Sequence, residues 1–307
     1  MNRSAGWVVF SNPDEVCPCG SGHLGGQCCL DRDGYIRGVP AGVTIRELSG
    51  AFSHPKCYAG ELGGCSTKLS REHFISESLL EILEADGGQL HVTKFPWLRE
   101  GERKYVGAAN LAAKVLCENH NSAFSPYDAI GTRFLATVLQ VGHPKRDGGG
   151  RVTALFNGAD VERWLLKVLC GVVAMEAKPT PWRAPNGWVN ALLKREGDRL
   201  PAGMGLWLNL GLVEMFRGST PSFSATPIDG IDGGPPLGLR FHFCGLELIL
   251  MAGFEGRSRV VRNGRFRPGI LELRSPDYRD VTIGMSYSDS PMGVYLSGEA
   301  VQPPSSA

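Results

Sequence analysis

The sequence predicts an α+β fold in which two small metal-binding modules precede a helical segment and a β-rich C-terminal region. Three observations support this prediction. Seven of the nine cysteines lie before residue 118, in turn-rich polar sequence. Helical periodicity recurs between residues 74 and 195. The last hundred residues contain apolar runs of strand length, which are typical of sheets.

Composition is that of an ordinary globular chain. Of 307 residues, 42% are hydrophobic and 21% are charged, so the chain can bury a large core. The formal net charge of +1 does not by itself indicate a nucleic-acid-binding protein. No apolar run reaches the length of about eighteen residues that a membrane span needs, and no signal peptide is recognised. We therefore predict a cytoplasmic protein without a membrane partner.

Three regions follow from the residue patterns. Residues 1–38 are rich in glycine and cysteine, and a metal must supply the energy that organises them. Residues 43–142 contain further cysteines, an amphipathic stretch at 74–83 and a longer helical pattern. The longer pattern places five apolar residues on one face: Ile130, Phe134, Leu135, Val138 and Leu139. A linker at 143–150 leads to residues 153–307, where a helix capped by Asn157, a second helix and several strands are expected.

The first cysteine cluster is compact. Four thiols lie within thirteen residues: Cys17, Cys19, Cys28 and Cys29. Zinc prefers four tetrahedral soft ligands, and the intervening glycines allow the tight turns that bring both thiol pairs to one ion. A reactive or disulfide-linked cluster is the alternative, although the compartment and the odd cysteine total disfavour it. His23 is a competing ligand, which we rank below Cys28 and Cys29 and expect to be solvent-exposed.

The Cys-Pro-Cys-Gly-Ser-Gly sequence that begins at Cys17, with its closing Cys-Cys, resembles the SEC-C motif. The resemblance implies a zinc knuckle in which protein atoms fill all four ligand positions. No position would then remain for water or substrate, so the module would be structural or would bind a protein or ribosomal partner, and would carry no chemistry.

A second potential tetrahedral set consists of Cys57, Cys65, Cys117 and His120. Between its members lie Ser70-Arg71-Glu72-His73 and then Asn110-Leu111, and Asn121 follows the last ligand. This order is similar to that of the HNH nuclease family. The resemblance implies a ββα-metal core of treble-clef type, stapled by structural zinc.

Four catalytic positions follow from the HNH resemblance. His73 would be the general base and Asn110 would orient it. Glu72 and Asn121 would hold a catalytic Mg²⁺ or Mn²⁺, because hard oxygen donors suit these ions. The chain departs from the family pattern in three ways: His120 replaces a commoner cysteine, residues 86–109 form a long insertion, and Asn121 is a weaker ligand than histidine.

Simpler explanations of the same residues stay open. Glu72 and His73 could be a surface pair before a helix that Ser70 caps. His120 and Asn121 could simply begin a helix. His54 could replace a cysteine in the zinc set. Six further residues are expected in the core: Trp164, Trp182, Trp188, Trp207, Cys170 and Cys244.

Basic residues supply the candidates for substrate contact. Lys94, Arg99, Arg103 and Lys104 lie in the insertion. Five arginines surround an Asn263-Gly264 hairpin signal and could grip phosphate, although a solvated hairpin edge is favoured: Arg257, Arg259, Arg262, Arg265 and Arg267.

The leading functional hypothesis is an HNH-type endonuclease that hydrolyses phosphodiester bonds, with DNA as the expected substrate. It would carry two structural Zn²⁺ ions and one catalytic Mg²⁺ or Mn²⁺. The alternative is a non-catalytic zinc-binding adaptor that binds a protein or nucleic-acid partner. In a third hypothesis, the C-terminal half senses a ligand and gates the nuclease.

Overall fold

A computed structural model of the chain describes residues 13–30, 38, 40–43, 51–73, 75–85, 90–93, 98–99, 102–106, 111–142, 151–176, 181–194, 200–209, 222–230, 234–243, 245–253, 261, 264–274, 279–287 and 294–299. These residues include helices and several sheets, which confirms the predicted α+β class. The predicted linker at 143–150 lies outside the described residues. None of the helices in the described part of the chain is long and apolar enough to cross a membrane.

The described residues form four α-helices: α1 (Glu77–Ala85), α2 (Glu118–Leu139), α3 (Gly158–Glu176) and α4 (Asn186–Leu192). The predicted apolar face of α2 is confirmed, since Phe134, Leu135 and Val138 are fully buried. The predicted cap of α3 is also confirmed, because the Asp160 N–H donates to Asn157 Oδ1 at 3.2 Å. The helical period identifies α2 because that helix buries an apolar stripe, whereas α3 is buried on all sides from residue 158 to residue 172.

In the part of the chain that the structure describes, thirteen strands form three sheets. In chain order they are β1 (Glu72–His73), β2 (Leu90–Thr93), β3 (Arg103–Val106), β4 (Ala112–Ala113), β5 (Arg151–Asn157), β6 (Met204–Asn209), β7 (Ser222–Ile228), β8 (Gly238–Phe243), β9 (Leu246–Ala252), β10 (Arg265–Phe266), β11 (Pro268–Arg274), β12 (Asp280–Ser286) and β13 (Val294–Glu299). The seven-stranded sheet has the order β10-β6-β9-β8-β7-β2-β3, the four-stranded sheet the order β13-β11-β12-β5, and β1 pairs with β4. The β-rich C-terminal region is thereby confirmed.

Part of the insertion at 86–109 joins the large sheet. Strands β2 and β3 form an antiparallel pair, and β2 also runs parallel to β7 through the pairs His91↔Ser222 and Val92↔Phe223. Strand β5 likewise runs parallel to β12 over seven residue pairs. Both parallel pairings join segments more than 120 residues apart, and local sequence carries no signal for such pairings.

Helix α3 lies at the centre of the fold. It contacts β7, β8 and β9 of the large sheet, β5 and β12 of the four-stranded sheet, and helices α2 and α4. Because it is enclosed on several sides, even its charged residues are buried: Asp160, Glu162, Arg163 and Lys167. Each of the four has an oppositely charged partner, as buried charges require.

Two of the five arginines near the hairpin signal are described, and they lie in different environments. Arg257, Arg259, Arg262 and Asn263 lie outside the described residues, and Arg265 is exposed. Arg267 is buried, and its Nε and Nη2 donate to the two carboxylate oxygens of Glu162 at 2.8 and 3.1 Å. Arg267 therefore neither grips phosphate nor belongs to a solvated edge, because the Glu162 carboxylate holds its guanidinium in the core.

One cluster of buried hydrophobic side chains extends from Cys57 to Tyr287 and so includes residues of both larger predicted regions. Trp164, Trp188 and Cys170 belong to it, as predicted. A smaller cluster joins Cys17 and Cys29 to Leu155 of β5. The proposed boundaries at 1–38, 43–142 and 153–307 stay predictions.

Candidate metal centres

The first cysteine cluster is assembled as the sequence predicts. One Sγ atom from each of Cys17, Cys19, Cys28 and Cys29 lies within 4.8 Å of the others. Cys19 Sγ is 3.4 Å from Cys28 Sγ, and Cys28 Sγ is 3.7 Å from Cys29 Sγ. Four thiols at these separations could hold a zinc ion.

Backbone turns explain this convergence. The Cys17 N–H donates to His23 O at 2.7 Å, and Val16 bridges Leu24, so the first thiol pair lies on a tight loop. Gly20 and Gly22 within it have φ values of +81° and +79°, a region that glycine tolerates without strain. The His23 side chain is exposed and lies outside the cluster, as predicted.

The Cys19 thiol is poised for ligation. Burial opposes its thiolate, but hydrogen bonds from Ser21 and neighbouring thiols lower the pKa of Cys19 to about 7. Zinc binds the thiolate form, so a lowered pKa favours ligation near neutral pH.

Arg133 of α2 joins the first cluster to the body of the protein. Its Nη2 donates to Leu155 O at 2.7 Å, its Nη1 to Pro18 O at 3.4 Å, and its Cζ lies 3.8 Å from the centre of the Phe156 ring. The Leu155 N–H also donates to Pro18 O at 3.0 Å. Burial lowers the pKa of Arg133 while the thiolates of Cys19, Cys29 and Cys17 raise it, so the guanidinium lies within electrostatic reach of the cluster.

The second cluster is also assembled, and all four members are buried: Cys57, Cys65, Cys117 and His120. His120 Nδ1 lies 3.6, 3.7 and 3.2 Å from the Sγ atoms of Cys57, Cys65 and Cys117, respectively. His54 is excluded from this set, and its Nδ1 accepts from the Lys56 N–H at 3.1 Å. The cluster could hold a second zinc ion.

Local geometry delivers these ligands from two segments. The Cys57 N–H donates to His54 O, and the Cys65 N–H donates to Phe52 O, which folds residues 52–65 into a loop. Cys117 occupies the N-cap of α2 and its Sγ accepts from the His120 N–H, so the first helical turn presents both residues to the loop. His120 therefore does begin a helix, and it joins the cluster as well.

A strand pair precedes this helix. Glu72 pairs with Ala113 and His73 with Ala112 in an antiparallel register, and Leu69 bridges Cys117. The Leu69–Cys117 bridge lies four residues before His73, so the segment that leads into β1 runs beside Cys117, the N-cap residue of α2.

His73 is largely buried, with a side chain that is 14% exposed. Its Nδ1 lies 4.0 Å from Glu77 Oε2. Its Nε2 is buried and has no hydrogen-bond partner among the residues that the structure describes. One ring nitrogen is therefore not committed to a described protein partner.

Glu72 lies in a buried ion-pair network. Its carboxylate pairs with the Lys167 ammonium, which also donates to both Asp128 oxygens at 2.7 and 2.9 Å. Burial raises the pKa of Glu72 to about 7, although Lys167 opposes the rise. Burial also opposes the Lys167 charge, but Glu72 and Asp128 raise the pKa of Lys167 to about 12. Lys167 and Asp128 had no predicted role; the only signal was a lysine inside an apolar helix.

The described residues do not fit a hard cation at Glu72. Its carboxylate is already paired with an ammonium group, and only the two Cys/His clusters bring three His, Cys, Asp or Glu ligand atoms together in the described part of the chain. Asn121 lies on the first turn of α2, where its N–H donates to Cys117 O at 2.9 Å. Asn110 and Lys94 lie outside the described residues.

The class of protein that fold and site define is an α+β protein with two four-ligand clusters able to hold metal, one partly exposed and one buried. Comparison with protein-family models, curated proteins and solved structures found no match to the chain.

Proposed function

We propose that the chain is a phosphodiester hydrolase of HNH type, in which both Cys/His clusters hold structural zinc and His73 is the general base. The observation that carries the proposal is the position of His73. His73 lies on the strand pair β1–β4, four residues after the bridge between Leu69 and Cys117. Its buried Nε2 atom has no hydrogen-bond partner among the described residues. The resemblance to SEC-C and HNH sequences supports the same assignment.

Positive charge near His73 suits a phosphodiester substrate. Arg71 directly precedes β1, and in extended backbone its side chain would point to the same side as that of His73, two residues on. Continuing the register of β1 and β4 places Lys114 opposite Arg71, and both side chains are exposed. Arginine and lysine contact the phosphate backbone without reading its sequence, so neither DNA nor RNA is favoured by these residues.

In the proposed reaction His73 takes a proton from the water whose oxygen bonds to phosphorus, the P–O bond to the leaving oxygen breaks, and that oxygen takes a proton from solvent, while Arg71 and Lys114 hold the phosphate. Imidazole suits this step because it exchanges a proton near neutral pH. No step is assigned to Mg²⁺ or Mn²⁺, since Glu72 is bound to Lys167.

The test compares wild-type protein with His73→Ala on supercoiled plasmid, single-stranded DNA and RNA. Loss of one general base typically costs 10²–10⁴-fold in rate. We expect a loss of at least about 100-fold in the variant, with zinc content and circular dichroism unchanged. His23→Ala is the matched control, because this exposed histidine lies outside both clusters and should leave the rate unchanged. Absence of cleavage by the wild type on all three substrates contradicts the proposal.

A non-catalytic adaptor is the second candidate, and the buried pairing of Glu72 with Lys167 favours it. In both clusters the protein supplies four ligands, as structural zinc sites require. This candidate predicts that His73→Ala changes no measurable function, whereas deletion of residues 1–38 abolishes binding to a protein or nucleic-acid partner.

A further inference from the structure

Three carboxylate oxygens surround the Lys167 ammonium. One belongs to Glu72 on β1 and two belong to Asp128 on α2. The ammonium donates a hydrogen bond to each Asp128 oxygen and makes a close ion pair with Glu72 Oε1. The two carboxylates belong to β1 and α2, whereas the lysine belongs to α3.

Burial makes this pairing strong. Lys167 is 1% exposed and Glu72 is 2% exposed, so water screens their attraction only weakly. Two carboxylates and one ammonium leave the network with excess negative charge. Burial raises the pKa of Asp128, although Lys167 opposes the rise.

We infer that Lys167 is the built-in cation of this site, which for that reason takes no divalent ion. An ammonium held by three oxygens fills the position in which a hard cation would neutralise Glu72 and Asp128. A divalent ion could enter only by displacing a buried lysine that is paired with both carboxylates. The inference concerns cation binding and does not rest on hydrolysis.

A second consequence concerns the architecture. Lys167 of α3 pairs with Glu72 of β1 and with Asp128 of α2. A residue from the downstream half of the chain therefore helps to position Glu72, the neighbour of His73. Lys167 is therefore a positioning residue for this site. It is too buried to touch a substrate.

The first test measures Mn²⁺ binding to the full-length, zinc-loaded protein by electron paramagnetic resonance of free Mn²⁺. Wild type and Glu72→Gln should bind Mn²⁺ equally, because neither offers Glu72 to the ion. A Mn²⁺ site that is present in the wild type and lost in Glu72→Gln overturns the inference.

The second test removes the ammonium. Lys167→Ala leaves two buried carboxylates and space for an ion, so Mn²⁺ should raise its midpoint of thermal unfolding while leaving that of the wild type unchanged. The control is Glu72→Gln/Asp128→Asn/Lys167→Met, which is neutral at all three positions and should fold without responding to Mn²⁺.

Failure of Lys167→Ala to fold is also informative. The inference then expects Mn²⁺ to restore its folding, since the ion would replace the missing charge. If the neutral triple variant folds but Lys167→Ala neither responds to Mn²⁺ nor is rescued by it, the site is a simple ion pair and the inference fails.

Discussion

The Arg267 guanidinium lies against the Glu162 carboxylate in the core, with two hydrogen bonds of 2.8 and 3.1 Å between them. The Leu206 N–H donates to Glu162 Oε1 at 2.7 Å, and the same oxygen accepts from Arg267 Nε. The carboxylate therefore connects α3 to β6 and to Arg267, which lies between β10 and β11. Arg267 adopts a φ of +44°, which is uncommon for a residue with a side chain. The pair therefore fixes the backbone at this point as well as two side chains.

Arg267→Met should destabilise the protein by about 3–5 kcal/mol, because it leaves Glu162 charged and buried without its partner. The free energy of unfolding in urea measures this change. Arg265→Met, two residues away on an exposed position, is the control and should change stability by less than about 0.5 kcal/mol. Equal effects of the two substitutions would contradict the buried pairing.

Gly131→Ala should destabilise the contact between α2 and α3. A Cβ at Gly131 would lie 2.2 Å from the Trp164 ring, and that ring is buried and cannot move away easily. Overpacking of this kind typically costs about 1–3 kcal/mol. Gly187→Ala in α4 meets nothing within 4 Å, so it should instead stabilise by up to about 1 kcal/mol. Thermal unfolding of the two variants measures both signs.

The buried Glu72 makes stability depend on pH. Its folded-state pKa of about 7 lies above the ordinary glutamate pKa of 4.5. Between these values the folded state retains a proton that the unfolded state has lost, so the free energy of unfolding falls as pH rises. Glu72→Gln has no such proton, so its stability relative to the wild type should increase by on the order of 1 kcal/mol between pH 6 and pH 8.

Urea denaturation of both proteins at the two pH values measures this difference. The zinc ligands titrate equally in both, so their contribution cancels. A relative stability that stays constant, or decreases, between pH 6 and pH 8 would show that Glu72 remains ionised throughout that range.

Arg133 should strengthen metal binding at the first cluster. A zinc ion with four thiolates carries two net negative charges, and Arg133 is held near them by Pro18 O and Leu155 O. Loss of residues that support metal ligands typically costs 10–100-fold in affinity. Arg133→Met should therefore weaken zinc binding at this cluster by at least about tenfold in competition with a chelator. Arg151→Met, an exposed arginine at the start of β5, should leave zinc affinity unchanged.

Much of the fold and both clusters could be predicted from the sequence because their signals are local. The thiols of the first cluster lie within thirteen residues, and the burial of Phe134 and Val138 follows the helical period. Cys57, Cys65, Cys117 and His120 were found from ligand type alone, despite their wide spacing.

The remaining features depend on contacts between distant segments. No local pattern shows that β2 pairs with β7, or that Lys167 lies between Glu72 and Asp128. The prediction that Arg267 belongs to an exposed arginine group is wrong. Its partner Glu162 lies 105 residues away, and no local pattern indicates that pairing. Buried charges on an otherwise apolar helix such as α3 are the one sequence sign that such partners exist.

Zinc content measured by inductively coupled plasma mass spectrometry tests the central claim, that both Cys/His clusters hold metal. The wild type should contain two zinc ions per chain, and Cys17→Ser and Cys57→Ser should each contain one. Cys170→Ser, whose thiol is buried outside both clusters, should retain two. A wild type that binds fewer than two zinc ions, or a Cys57→Ser variant that retains both, would contradict the account.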